Sequence, residues 1–362
     1  MRLARACALT AGSLAVLSVG AGAASGAPAS PGPSASTFRV AYADSTLTPS
    51  RARTVAAARA TASWGGATTA TDGEVVNISF SDAYPVDATL ARSWADYMTS
   101  LVHGSELATV TILLAPLTEV EQYCGAQAYA CYSPSQRTIV APGEDPGPGT
   151  TAKGVLAHEY GHHVAASRLN PPFASVDYGT KRWASYTNVC ARTQSGDLFP
   201  GAEDARNYAL NPGEGFAEAY RVLNEQRLGL SQEAWEIVSP VLEPDAGSLA
   251  ALSLDVTQPW TGASKSTLKG ALTTKTRTRT FRIATPLDGT LTIVPTQSTN
   301  TRVSVTVSSV SGAAAARTFA TRTGRSLSTL VCGARAYTVR VKLTGKVTRT
   351  THTTVQLAVA KP

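Results

Sequence analysis

The sequence predicts an α+β domain followed by an all-β sandwich, and three observations carry that expectation. Strand and helix patterns follow one another up to about residue 260, whereas from about residue 262 only period-2 alternation is found. Charge changes at the same place. Up to residue 260 there are 16 Lys and Arg against 24 Asp and Glu, net −8; the remainder carries 16 against the single acid Asp288, net +15, which together make the +7 of the whole chain. A chain of 362 residues is also long enough for two cores of ordinary size.

The first 27 residues stand apart. Arg2 and Arg5 precede the apolar run "ACALTAGSLAVLSVG", and small residues suited to cleavage after Ala23 or Ala27 follow it. This is the layout of a secretory signal peptide; the run is short and Ala-rich for a membrane anchor, and no later segment is long and apolar enough for a span. A secreted, extracellular protein is expected. Cysteine usage agrees: Cys7 leaves with the signal, and Cys124, Cys131, Cys190 and Cys332 remain, an even number suited to two disulfides with three connectivities. Cys124 and Cys131 are near enough to close a small loop, which by elimination pairs Cys190 with Cys332.

Residues 28–70, rich in Ala, Ser, Thr, Pro and Gly, read as a low-complexity linker or short propeptide. The first domain is expected over 71–245. "EVVNISF" reads as a strand, "VDATLARSWADYMTSLVHG" as an amphipathic helix ending near Gly104, and "ATVTILLAP" as an apolar strand. "SQRTIVAP" is a short strand closed by Pro142 and Gly143. A helix from about Thr151 to Leu169 stops at Asn170-Pro171-Pro172. Another has Asn211 as N-cap, Pro212 at the first helical position and Gly229 past its end. "SQEAWEIVSPVL" is read as one more helix, and 246–261 as a linker. In 262–362, Val303, Val305 and Val307 share one side of a strand; Tyr337, Val339, Val341 and Leu343 do so in a second, and Val355, Leu357 and Val359 in a third. Several such strands without a helix signal argue a β-sandwich.

The chemistry is concentrated in "AHEYGHHVA". His158, Glu159 and His162 form H-E-x-x-H, and on a helix residues four apart lie about 40° apart in projection, so both imidazoles can reach one ion. Glu159 stands beside them to act on metal-bound water. His163 is roughly 140° round the helix from His158 and points elsewhere, as a packing residue or a support to a ligand. His103 and His352 stand alone. A catalytic zinc, Zn2+, takes three protein ligands and keeps one position open. The class that reads H-E-x-x-H-x-x-G-x-x-H is excluded, because Ala165 and Arg168 hold the last two positions. Acids further on compete for the third place: Glu214 and Glu218, four apart in "NPGEGFAEAY", and Asp177 in "SVDYGT". Of the first two, one can bind metal while the other hydrogen-bonds a ligand histidine.

With these residues the chain resembles a gluzincin, a zinc metallopeptidase with a zincin-like catalytic domain whose third ligand is a glutamate on a helix downstream of the motif. Thermolysin-like members carry E-x-x-x-D there. "NPGEGFAEAY" is closer to the corresponding helix in the catalytic-domain family of anthrax lethal factor, N-x-x-E-x-F-A-E-A-aromatic. The resemblance covers roughly 80 residues. It implies Glu214 as third ligand, Glu218 as the acid facing His158, and Tyr208 as the oxyanion donor, one residue out of that family's spacing. Asp177 is preceded by no Gly-Thr pair, which the aspartate-liganded class requires; Gly179 and Thr180 follow it. The implied activity is hydrolysis of a peptide or protein substrate, with "RTIVAP" as the sheet-edge strand that pairs with extended substrate.

The basic C-terminal segment resembles the prepeptidase C-terminal sandwich of secreted bacterial peptidases, through "FRIATPLDGTLTI" and "CGARAYTVRVKLTG". Lys275, Arg277 and Arg279 share one side of a strand there, a surface suited to an anionic cell-wall polymer or polysaccharide. Nucleic acid is a poor match, because aromatic residues are scarce among the strand basics. Two other function classes remain at this point: a secreted wall- or polysaccharide-binding protein with an inactive zincin domain, and a zinc hydrolase acting on something other than protein.

Overall fold

A computed structural model describes residues 49–362 apart from 205, 236–237, 300, 310–313, 320–324 and 346–349. The expected signal peptide and the first part of the 28–70 linker lie outside the described residues. The first region runs α1 (Pro49–Thr61), β1 (Ser63–Thr69), β2 (Val75–Ser81), α2 (Ala88–Ser100), β3 (Thr111–Ala115), α3 (Leu117–Cys124), β4 (Cys131–Ser133), β5 (Thr138–Pro142) and α4 (Ala152–Ala166). Short helices α5 (Ser175–Tyr178), α6 (Lys181–Tyr186) and α7 (Val189–Ser195) follow, then α8 (Pro212–Leu228) and α9 (Ala246–Thr257).

The strands form one sheet in the order β1-β2-β3-β5-β4, parallel through β2, β3 and β5 and antiparallel at both edges. The apolar run of β5 is central because it can be buried on both faces, and all five of its residues are. This corrects the expectation that "RTIVAP" lies at a sheet edge. The short β4 takes that edge, beside β5.

Three further expectations are corrected. Residues 49–69 are not linker: α1 buries Ala52 and Val55 against Leu113, Val120 and Cys124, and Arg51 donates to the Cys124 carbonyl at 2.7 Å. β1 pairs with β2 along seven residues, and its Trp64 ring stacks on Phe80 with centroids 4.4 Å apart. Small residues gave that stretch a low-complexity texture, yet small residues are what lets a helix lie close on a sheet. The segment 246–261 is not linker either, since α9 packs beside α6 and α8. Asp255 of α9 accepts from the Arg182 and Trp183 amides and the Thr180 hydroxyl, so it supplies the N-terminal cap that α6 lacks in its own sequence. In "SQEAWEIVSPVL", residues 231–235 are irregular and a single 3-10 turn spans Pro240–Leu242. Glu233 instead reaches back to α4, accepting from the Thr151 amide at 2.8 Å and hydroxyl at 2.6 Å.

The C-terminal region is all β: β6 (Ser264–Leu272), β7 (Thr278–Ala284), β8 (Gly289–Gln297), β9 (Arg302–Ser309), β10 (Ala314–Phe319), β11 (Leu327–Val331), β12 (Ala336–Thr344) and β13 (Thr351–Val359). They make two antiparallel sheets, β10-β9-β12-β7 and β11-β8-β13-β6. The alternating residues read from sequence point inward: Val303, Val305, Val307, Val339, Val341 and Leu343 of one sheet share a core with Leu291, Ile293, Val355, Leu357 and Val359 of the other. The architecture is thus α+β followed by a β-sandwich.

The two regions are joined closely. Cys190 on α7 is bonded to Cys332, and Cys124 to Cys131, the connectivity favoured by spacing. Lys181, 1% exposed, donates to Asn170, to the Pro171 carbonyl and to the Asp288 carbonyl of the sandwich, at 2.9–3.0 Å, and its ammonium lies over the Trp260 ring. Burial pushes Lys181 down to about 8, against the pull of Asp288 and Asp255.

Candidate metal centre

The motif helix is closed to solvent: every residue of α4 from Gly154 to Ala165 is buried. Such burial is possible because the N-terminal backbone groups are satisfied. Thr151 accepts from the Gly154 amide, Asp145 accepts from the Ala152 amide at 2.9 Å, and Glu233 holds Thr151 in turn. Two of these acceptors are carboxylates at the positive end of the helix, where negative charge is favourable.

α4 packs against α8, and Gly161 sets their separation. A Cβ at this position would stand 2.8 Å from Ala217 Cα and 3.1 Å from its carbonyl, so any side chain there would force the helices apart. The glycine inside H-E-Y-G-H therefore matters as much for the site as the histidines around it. Sequence reasoning passed over it.

The close approach brings His158, His162 and Glu214 together, with one ligand atom of each lying within 4.8 Å of the others. Glu214 Oε2 is 3.4 Å from Nε2 of His158 and 3.4 Å from Nε2 of His162. Ligand atoms about 2.1 Å from a tetrahedral ion are about 3.4 Å from one another. Both edges fit that spacing, and the donor set of two imidazoles and a carboxylate suits zinc. All three residues are buried, at 2%, 5% and 6% exposure. Asp177 is not in the group; it lines the adjoining pocket with Glu203, Tyr132, Tyr208 and Asn211. Burial and the neighbouring Glu203 raise the Asp177 carboxyl.

Supporting contacts hold two of the three residues, His158 and Glu214. His158 Nδ1 is 3.0 Å from Glu218 Oε2, which orients the ring and turns Nε2 to the centre. Glu218 is held by Arg221, through Nε at 3.0 Å and a second nitrogen at 2.5 Å, and Arg221 also bonds Glu225 at 2.6 Å. Arg221 and Glu225 complete a buried chain of charges that sequence reasoning missed, although Glu218, Arg221 and Glu225 fall three and four apart on one helical face. Tyr208, 5% exposed, donates to Glu214 Oε2 at 2.8 Å. Glu159, 2% exposed, follows His158 on α4.

Burial alone would lower the His158 imidazole, but its bonds to Glu214 and Glu218 outweigh burial and hold it at about 9. Against burial, His162 and His158 keep Glu214 well below the usual carboxylate range, and His158 and Arg221 keep Glu218 below it. Ionised carboxylates facing imidazole nitrogens make the centre a place for positive charge. His163 faces away, between the Tyr132 hydroxyl at Nδ1 and the Glu106 carbonyl at Nε2, both 3.0 Å. It packs the helix against β4. His103 lies at the end of α2, near the Thr99 and Gly104 carbonyls, and His352 is exposed on β13.

No protein-family model matches the sequence, and no curated protein matches it. Among solved structures, the Yersinia pseudotuberculosis-derived mitogen is similar at a TM-score of 0.22 and 9% identity, over 28% of this chain and 89% of its own. The family GH115 4-O-methyl-α-glucuronidase BtGH115A, with specificity for decorated arabinogalactans, is similar at a TM-score of 0.18 and 9% identity, over 76% of this chain and 44% of its own. Likeness at this level carries no argument about fold or function.

Proposed function

We propose that the protein is a secreted zinc-dependent endopeptidase of the gluzincin type, whose α+β region is zincin-like and holds one Zn2+ on His158, His162 and Glu214. The observation that carries this reading is the triangle of ligand atoms with two 3.4 Å edges, built from a motif whose second residue, Glu159, is buried. When bound, the ion supplies Lewis acidity, polarising a carbonyl and lowering the pKa of water beside it to about 7.

The chain's own residues do the rest. Glu159 takes a proton from the attacking water on its carboxylate and returns it to the leaving amine. Glu218, braced by Arg221, accepts from His158 Nδ1 and so fixes the tautomer that leaves Nε2 for the metal. The Tyr208 hydroxyl, now on Glu214, lines the same pocket and would donate to negative charge developing on the carbonyl oxygen. Tyr132 of β4 lines the pocket beside His162 and Glu214, where the substrate carbonyl would enter.

Two measurements test the reading. Zinc titration of Glu214→Gln, Glu218→Gln and Asp177→Asn should show the greatest loss for Glu214→Gln, a loss of about ten- to a hundredfold for Glu218→Gln, and none for Asp177→Asn. Full zinc affinity in Glu214→Gln would remove the ligand assignment. Cleavage of casein by the mature protein should stop with a chelator and in Glu159→Gln, which should still bind zinc; undiminished hydrolysis in either case ends the proposal.

A further inference from the structure

The cations of the sandwich are arranged, and not where the sequence put them. Arg277 donates to the Leu343 and Gly345 carbonyls and Arg279 to the Ala271 carbonyl, so both are tied to neighbouring backbone, and Arg279 alternates to the side of β7 opposite Arg282. The outer face of β7, β12 and β9 carries the charge instead. Along β12, Thr338, Arg340, Lys342 and Thr344 point outward while the residues between them are buried. Arg282 of β7 stands opposite Thr338, and Arg302 of β9 opposite Thr344. Each successive outward row therefore holds one cation: Arg282, Arg340, Lys342, Arg302. All four are exposed.

Outward positions on a strand recur about every 7 Å and neighbouring strands lie about 5 Å apart, so the four charges form an oblique line about 22 Å long. Hydroxyls flank it: Thr280 and Thr306 beside Arg340, Thr278 and Ser304 beside Lys342. The single acid of residues 261–362, Asp288, is buried at 3% exposure and committed to Arg335 and the Gly333 amide. The outer face of the other sheet carries two cations, Lys265 and Lys269, among Thr354, Gln356 and Ala358.

We propose that this face docks a linear phosphodiester polymer by its backbone, one phosphate per cation, independently of the chemistry at the metal centre. The complementarity is of charge and of shape. Three of the four cations are arginines, whose planar forks pair with phosphate oxygens, and the hydroxyl rows supply further donors. No aromatic side chain points outward from β7, β9 or β12 among the described residues, so the face has no platform for stacking nucleic-acid bases. The polymer it fits is one of repeating phosphates without bases.

The test uses the mature full chain and poly(glycerol phosphate) as probe, with a thymidine oligonucleotide and heparin as rivals. Four phosphates neutralised should give a log–log salt slope near −3, so that affinity falls about fiftyfold between roughly 50 and roughly 200 mM salt. The variant Arg282→Gln/Arg302→Gln/Arg340→Gln/Lys342→Gln should lose both the binding and the slope, with casein cleavage and thermal midpoint unchanged. Lys265→Gln/Lys269→Gln on the opposite sheet should bind as the parent does. If the fourfold variant does not fold, Arg340→Gln and Lys342→Gln should each lower the slope by about 0.7. Unchanged affinity in the face variants, an equal loss per charge in the control, or tighter binding of the oligonucleotide or heparin would overturn the proposal.

Discussion

In the α+β region the charges that matter are inside. Arg221, 1% exposed, lies between Glu218 and Glu225; Glu106 is bonded to Arg168; and Asp255 caps α6 while pairing with Arg182. In the sandwich, all four cations of the outer row are exposed and no acid answers them. A buried charge has to be met by a partner at hydrogen-bond distance, because little water is left to solvate it. The buried networks therefore specify geometry, down to which nitrogen of His158 faces Glu214. The exposed row specifies nothing about the fold and is free to act at a distance, with an effect that salt screens.

That contrast can be broken most directly at Arg221. Arg221→Met strands Glu218 and Glu225 in the core and should destabilise the fold by about 3–5 kcal/mol in urea unfolding. A loss below about 1 kcal/mol would mean the network is not buried in solution. Next is Lys181, where the folded value of about 8 lies below the unfolded one. The fold then penalises the ammonium: the penalty is full below pH 8 and disappears as pH rises to about 10.4, so stability increases across that window by up to about 3 kcal/mol. Relative to Lys181→Met, the parent should gain that much between pH 7.5 and pH 10.5; a flat difference would show that its three carbonyl and amide acceptors already offset burial. The smallest effect is at the surface. Arg340→Gln should change stability by no more than about 0.5 kcal/mol, and a larger loss would show that the outer row has a structural part after all.

Much of this was legible in the sequence because it depends on local spacing. The inward Val303, Val305 and Val307, the Asn211 cap and Pro212 start of α8, and the short disulfide loop each follow from neighbours within a few residues. Misreadings arose where the partner was remote. α1 and α9 looked like linkers because what holds them, the Leu113 cluster and the Thr180–Trp183 turn, lies 58 or more residues away. The same holds for Glu233, assigned to a helix of its own and found capping α4, 82 residues back.

The chain's periodicity and charge partition determined an α+β region followed by a sandwich, and its motif determined two histidines on one helical face. Only the tertiary structure decided which acid completes the group. Glu214 and Glu218 sit on the same face of α8, and the approach of α4 at Gly161 is what puts Glu214 between both Nε2 atoms and Glu218 behind His158. Spacing along a helix fixes direction to within a residue. Choosing between two residues one turn apart requires the contact itself.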